Sequence, residues 1–432
     1  MHVQAVRGFR DILPEEIPRW QHLEATARRV FETYGFREIR PPLLEYTEVF
    51  TRSIGEATDI VEKEMYTFQD RSGRSVTLRP EGTASVVRAY VEHHLHAAAP
   101  VSKLYYLGPM FRHERPQAGR LRQFHQVGVE AIGVADPGMD VEVLDMLMHL
   151  TDTLGLQGLE LQINSLGCPA CRPEYLRRLQ EYLGPRVSRL CESCQRRFRQ
   201  NPLRILDCKV PACQERLESP PSILEHLCPA CRQHHQAVRD GLAALGIPAV
   251  DNPRMVRGLD YYTRTAFELL AEGLGAQNAV AAGGRYDGLV AELGGPDVPG
   301  IGFALGVERL VSLMPQPTAR RRPLVFLAAL GAEAEARLLP VLQALRRQGI
   351  PAERDYGGKS LKSQLRRAHR LGAAYAVILG EEELGRGVAA LRDMVHQSQE
   401  DVPLDRLVPT LVSRVEAPAG PAPPSQVREA SP

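Results

Sequence analysis

The apolar and polar positions along the chain change rhythm several times, and each rhythm predicts an element. "WQHLEATARRVFETY" (Trp20 to Tyr34) places apolar residues at intervals of three and four before Gly35, which predicts an amphipathic helix with a glycine stop. "REIRPPLLEY" (Arg37 to Tyr46) reads as one extended strand entered through Pro41-Pro42. "EMYTFQDRSGRSVTLRP" alternates on both sides of Asp70–Arg74, a hairpin turning at Ser72-Gly73. "GTASVVRAYVEHHL" predicts a helix capped by Thr83 or Ser85. "SKLYYLGPMFRHERP" is a strand running into a charged loop, "RQFHQVGVEAIG" the strand that returns, and "DVEVLDMLMHLTDTLGL" a helix ended by Gly155.

Strands joined in hairpins with helices between them argue an α+β fold with a largely antiparallel sheet. Residues about 165–245 break this pattern as a Cys- and Arg-rich block of short elements. Strands return at "TAFELLA" and "AVAAGG", and "GIGFALGVERLVSL" passes from strand to helix. "MPQPTARRRP" (Met314 to Pro323) reads as a linker. Beyond it strands and helices alternate through "LVFLAAL", "EAEARLLPVLQALRRQG", "IPAERDY", "SLKSQLRRAHRLG" and "AYAVILG", a small α/β domain with a mostly parallel sheet. The expected division is a core at 1–322 with its insertion at about 165–245, a second domain at 323–415, and a Pro/Ala-rich disordered tail at 416–432.

Composition adds limits rather than identity. The 432 residues are 44% hydrophobic and 24% charged, as in globular proteins, and their length suits two or three domains. A net charge of +1 excludes a globally basic nucleic-acid coat but leaves room for local basic patches. The first twenty residues lack the apolar core of a signal peptide, and no apolar run reaches membrane-spanning length, so a cytoplasmic location and no membrane partner are expected.

Two glycine patterns fail as phosphate loops. "GGKS" (Gly357 to Ser360) lacks the earlier glycine, since Glu353 stands there. "GIGFALG" has Leu305 where a dinucleotide fingerprint needs glycine. A bound nucleotide must therefore be held by arginines and sheet residues. The densest polar stretch, "FRHERPQAGRLRQFHQVGVE", carries Arg112, Arg115, Arg120 and Arg122 with Glu114 and Glu130, and Gln126, Gly128 and Glu130 share one strand face. "VRGLDYYTRTAFE" and "AAGGRYDGLV" each set Arg, Asp and Tyr beside apolar or glycine residues.

These stretches resemble the class II aminoacyl-tRNA synthetases, and within them the histidyl-tRNA synthetases. Residues 20–46 are similar to the first class signature, "FRHE" with the returning strand to the second, and "GIGFALGVERL" to the third; "RGLDYYTRTAFE" and "GGRYDGL" resemble stretches specific to the histidine enzymes. The likeness spans about residues 5–415 in the family's order. It implies an antiparallel catalytic core with an inserted Cys-rich arm and a C-terminal anticodon-binding domain. The implied activity is ligation of L-histidine to the 3′ end of tRNA(His) through a histidyl-adenylate made from ATP.

The resemblance also implies roles. Arg112 and Arg309 would bind the α- and γ-phosphates of ATP, with Glu114 beside them, and Arg257 would lie beside the α-phosphate and the substrate carboxylate. Guanidinium groups suit a transition state in which charge spreads over phosphoryl oxygens. Glu81, Gly82 and Thr83 with Gln126 would hold the α-ammonium, and Glu130 and Tyr262 the imidazole, with Tyr261 in the wall. Gly283 and Gly284 would let backbone approach the substrate, and Arg285, Tyr286 and Asp287 would support the site from behind. Mg²⁺ is expected on the ATP phosphates and a homodimer paired through the first signature. Arg115 and Gln117 would meet the tRNA acceptor end. Each residue has a plainer reading too: Arg309 as a helix-surface arginine, Tyr261 as core, Glu81 as a helix N-terminal carboxylate.

All eight cysteines fall between Cys168 and Cys231. The spacing Cys168-x-x-Cys171 to Cys191-x-x-Cys194 matches a zinc ribbon, leaving Cys208, Cys213, Cys228 and Cys231 for a second site. Other pairings, or buried free thiols, are the alternatives. "RRFRQNPLR" (Arg196 to Arg204) gives the block a basic face. In the second domain Lys359, Lys362, Arg366, Arg367 and Arg370 fall within twelve residues, with Lys362, Arg366 and Arg370 on one helix face. That is a solvated face or, by the resemblance, an RNA-contacting one. Two rival readings of the whole chain are a silent regulatory relative of the same core and a zinc-dependent nucleic-acid-binding module. The first typically lacks the intact site residues and the C-terminal domain, and the second leaves the Arg/Glu/Tyr set unexplained.

Overall fold

The computed structural model describes residues 3–55, 58–114, 120–272, 278–315 and 324–416. Two compact units divide at 317/318. Of the sequence-based expectations, the linker from 316, the tail beyond 416, Arg115 and Gln117 lie outside the described residues. Among those described, no helix is long and apolar enough to cross a membrane.

The first unit is built on an eight-stranded sheet. In spatial order its strands are Arg37–Glu38, Ser102–Phe111, Gln123–Ile132, Gly300–Gly306, Ala279–Arg285, Thr263–Ala271, Leu159–Ser165 and Ala249–Asp251. The six inner strands pair antiparallel, and the two edge strands join in parallel. Period-two alternation gives this sheet two chemically different faces. Val127, Val129, Phe267, Leu269, Ile301, Phe303 and Leu305 pack into the main core. Helices Ile17–Thr33, Pro137–Thr153 and Pro229–Ala244 cover that face with Leu23, Phe31, Leu147 and Leu242. The opposite parity carries Gln126, Glu130, Glu268 and the small residues Gly302, Ala304 and Gly306, so that face has room for a ligand.

The strand expected from Arg37 to Tyr46 is instead two short strands in different sheets. Arg37–Glu38 joins the large sheet, while Leu44–Tyr46 pairs with Ser75–Leu78 in a three-stranded sheet. Pro41 and Pro42 separate them, because neither has an N–H to give a ladder. The hairpin beside it forms as predicted: Asp70 Oδ1 accepts from the N–H of Ser72 at 2.8 Å and of Arg74 at 2.9 Å, and Gly73 adopts φ +78°.

The second unit has a five-stranded sheet in the order Ala352–Arg354, Leu324–Ala329, Ala373–Leu379, Val388–Asp393, Gln399–Pro403. The first three are parallel, as their helix-linked spacing requires; the last two, which the pattern did not announce, add antiparallel.

Candidate active site

A cavity of about 300 Å³ opens on the small-residue face of the large sheet. Its lining brings together Glu81, Thr83, Arg112, Glu114, Gln126, Arg257, Tyr261, Tyr262 and Arg309, residues spread over more than two hundred positions. Gly82 and Glu130 are not in the lining; Glu130 touches it through the hydroxyls of Thr83 and Tyr286.

One end of the cavity is cationic. Arg112 Nε donates to the Pro80 carbonyl at 2.8 Å, and its guanidinium lies 5.3 Å from the Phe124 ring centre. Arg309 Nη1 donates to the Ala279 carbonyl at 2.5 Å. Burial, and then the nearby charges of Arg120 and Arg112, hold the Arg309 pKa below its ordinary value. Glu114 offsets part of this repulsion, with Arg120 at 2.6 Å and Arg112 at 3.9 Å. Clustered, backbone-anchored guanidiniums are preorganised for a polyanion.

Arg257 stands between the two ends. It is ion-paired to Glu268, and its guanidinium lies 5.5 Å from the Tyr262 ring centre. Its Nε is buried with no hydrogen-bond partner among the described residues, as is the side-chain oxygen of Gln126. Both are atoms a ligand could satisfy. Burial disfavours the charge on Arg257, but Tyr262 and Glu268 outweigh it and its pKa is raised.

The other end is acidic and deep. Glu130 has no exposed surface; its carboxylate accepts from the Thr83 and Tyr286 hydroxyls, each at 2.6 Å. Burial lifts its pKa to about 8, the two hydroxyls work against that, and Glu81 adds to it. Glu81 accepts from the N–H of Thr83 at 2.7 Å and of Ala84 at 2.8 Å. The cap of helix Thr83–Glu92 is therefore made by Glu81 from outside, not by Thr83 or Ser85 as predicted, because Gly82 holds the N-cap position and has no side chain to give.

The glycines have specific work. A Cβ on Gly302 would stand 2.1 Å from the Glu130 carboxylate, and on Gly82 or Gly128 within 2.3 Å of the Tyr106 ring. Gly283 and Gly284 are a correction: they do not line the cavity. A Cβ on Gly283 would meet the Gly302 carbonyl at 2.2 Å, and one on Gly284 the Thr265 carbonyl at 2.4 Å, so these glycines permit close strand packing.

Arg285 lies behind the sheet, fully buried, with Asp140 at 2.6 Å and the carbonyls of Val134 at 2.9 Å and Asp136 at 3.0 Å. Tyr286 reaches the cavity itself. Sequence reasoning passed over Glu268, Glu308 and Phe124. Glu268 closes the "RGLDYYTRTAFE" stretch, and its strand parity was a usable signal for the cavity face. Glu308 holds the His125 N–H and Nδ1, each at 3.0 Å, a contact no pattern announces.

The cysteines form two quartets, but not the expected ones. Cys168, Cys171, Cys228 and Cys231 converge, and so do Cys191, Cys194, Cys208 and Cys213. The pairing of the first two Cys-x-x-Cys units is thus corrected: the first joins the last across the insertion, and the inner four nest within. Sulfur–sulfur distances are 3.8 Å for Cys168–Cys171 and Cys168–Cys228, and 3.9 Å for Cys171–Cys231 and Cys191–Cys208. These are far beyond a disulfide. They match the edge of about 3.8 Å that a tetrahedron with metal–sulfur bonds of about 2.3 Å must have. Backbone N–H groups of Cys168 and Cys191 donate to Cys171 and Cys213 sulfurs at 3.2 Å.

In the second unit Lys359, Lys362, Arg366 and Arg370 are exposed around helix Leu361–Arg370, whereas Arg367 turns to Asp355 at 3.3 Å.

The histidyl-tRNA synthetase family model matches residues 8–170 and 209–310, and the anticodon binding domain model matches 324–414. A histidine–tRNA ligase of Syntrophotalea carbinolica is 57% identical over 415 residues, covering 96% of this chain and 99% of the relative. One of Geobacter metallireducens is 57% identical over 403 residues, covering 93% and 98%. The crystal structure of apo Staphylococcus aureus histidyl-tRNA synthetase superposes with a TM-score of 0.79 at 37% identity, covering 95% of this chain and 99% of that one.

Proposed function

The chain belongs to the histidyl-tRNA synthetase family, and from that premise we propose how its cavity works. It is an ATP-dependent ligase that joins L-histidine to tRNA, with an anticodon-binding domain at its C-terminal end. In the first step the histidine carboxylate attacks the α-phosphorus of ATP, the bond to the pyrophosphate oxygen breaks, and histidyl-adenylate forms. In the second, a terminal ribose hydroxyl of tRNA(His) attacks the histidyl carbonyl and AMP leaves.

The observation that carries this reading is one cavity with a guanidinium cluster at one end and, at the other, the buried carboxyl group of Glu81 with that of Glu130 behind Thr83 and Tyr286. Arg112, Glu114 and Arg309 form the ATP end, and Arg257 bridges towards the substrate carboxylate. Its Nε, without a partner among the described residues, supports that assignment. Glu130, held by Thr83 and Tyr286, answers the imidazole from below, with Tyr261 and Tyr262 as walls. Glu81, Thr83 and Gln126 take the α-ammonium, and Gly82 lets Tyr106 pack beneath them. Leaving such buried polar groups unpaired is what excludes substrates of similar size; penalties of about 10⁴–10⁵ in rate are typical. Mg²⁺ arrives with ATP and supplies charge neutralisation on its phosphates.

Lys359, Lys362 and Arg366 are assigned to tRNA phosphates, and Arg115 and Gln117 to the acceptor end. A homodimer through the three-stranded sheet is supported by the exposure of Leu44, Tyr46 and Phe68 there. The cytoplasm is the assigned location, where tRNA and ATP meet. Both cysteine quartets are assigned to structural Zn²⁺, whose tetrahedral thiolate preference fits their spacing. Histidine-dependent ATP–pyrophosphate exchange tests the activation step: exchange that needs histidine is expected, and exchange without it, or none, overturns the reading.

A further inference from the structure

The two quartets occupy different places in the chain. The outer one ties the entrance of the insertion to its exit, sixty residues apart. The inner one closes the segment between Cys194 and Cys208, which touches the core beside Asp260, while Arg172, next to the outer quartet, donates to the Tyr262 carbonyl at 2.5 Å. Asn201 Nδ2 donates to Asp260 Oδ1 at 2.8 Å. Arg197 pairs with Asp59 at 2.9 Å, and Arg204 reaches the same carboxylate at 3.8 Å. Gly258 lies so near Arg204 that a Cβ there would be 3.3 Å from its Nη1.

Asp260 belongs to the segment that carries Arg257, Tyr261 and Tyr262 into the cavity. It is fixed from two sides. Its N–H donates to the Ile54 carbonyl at 3.0 Å, and a Cβ on Gly55 would stand 2.4 Å from its carboxylate. Asn201 holds the outer side. Cys191 and Cys208 themselves line a second cavity that extends to Arg112, Glu268 and Arg309. The 195–204 segment runs from helix Glu192–Gln200 into the turn Pro202–Ile205, and Phe198, Pro202 and Leu203 seat it on the insertion's own small core, in which Cys194 and Cys208 are themselves buried. A metal–thiolate cluster adds to that hold, since structural zinc contributes folding energy directly.

We propose that the inner quartet binds one zinc ion, and that this ion positions the 257–262 segment for histidine recognition through Asn201 and Asp260. Asn201 and Asp260 are positioning residues, remote from the reacting atoms. The proposal rests on the reading of the first cavity as the site of histidine activation.

Elemental analysis of the purified full chain is expected to give two zinc ions, and Cys208→Ser one. In pyrophosphate exchange Cys208→Ser raises the KM for histidine by about tenfold or more, the size of losing a hydrogen bond to a charged group, while the KM for ATP moves less. Asn201→Ala keeps both ions and reproduces the histidine effect. Because Cys208→Ser can fail to fold, Asn201→Ala decides alone in that case. An unchanged histidine KM in Asn201→Ala, or a wild-type chain without zinc at the inner quartet, overturns the proposal. Absence of histidine-dependent exchange in a zinc-loaded wild-type chain instead overturns the activation reading on which it rests.

Discussion

Replacing Glu130 by glutamine separates the charge of this residue from its shape. Burial among Thr83, Tyr286 and Glu81 lifts the folded pKa from an ordinary 4.5 to about 8. Below pH 4.5 folded and unfolded chains both hold the proton, and the group does not alter stability. Between 4.5 and about 8 the unfolded chain releases it while the folded chain keeps it, so stability falls as pH rises and levels off above that window. At 1.36 kcal/mol per pH unit, the loss from pH 6 to pH 8 is about 2 kcal/mol, allowing for partial ionisation near the upper limit. Glu130→Gln does not titrate, and one hydroxyl can go on donating to its carbonyl oxygen while the other turns to accept from its NH₂. Urea unfolding of both proteins at the two pH values checks this, since every other titrating group cancels in the difference. The stability of the variant relative to wild type should rise by about 2 kcal/mol from pH 6 to pH 8. A pH-independent difference would show that Glu130 is already ionised in the folded chain and that the burial argument is wrong. Histidine activation should meanwhile fall, because the amide presents a different set of donors and acceptors beneath the imidazole.

Other outcomes follow from the same geometry. Arg257→Ala should slow pyrophosphate exchange by about 10²–10³-fold, the cost of removing one preorganised charge-stabilising group; a normal rate would remove Arg257 from the chemistry. Arg285→Met should lower unfolding free energy by about 3 kcal/mol, because it leaves the buried Asp140 carboxylate with His234 but without its guanidinium partner, and a denaturant midpoint close to wild type would refute that. Gly302→Ala should cost about 1–3 kcal/mol and impair histidine binding, read by unfolding and by isothermal titration, since its Cβ would collide with the Glu130 carboxylate.

Local pattern carried far in this chain. Alternation along Gln123–Ile132 already put Gln126 and Glu130 on one face, because side-chain direction in a strand is set by the backbone alone. The hairpin at Asp70–Arg74 needed only its own turn residues. The arginine-rich and tyrosine-rich stretches showed which chemistry to expect, because the demands of phosphate and imidazole restrict residue types.

What tertiary structure alone decided is which distant groups meet. Glu130 takes its hydroxyls from Thr83, 47 positions away, and from Tyr286, 156 positions away. Cys171 pairs with Cys231 rather than with the nearer Cys191 unit, since the insertion folds back so that its two ends adjoin. Arg37–Tyr46 splits between two sheets, although its pattern reads as one strand. In each case the choice depends on chain closure and burial summed over the whole unit, and short-range periodicity holds no record of that sum.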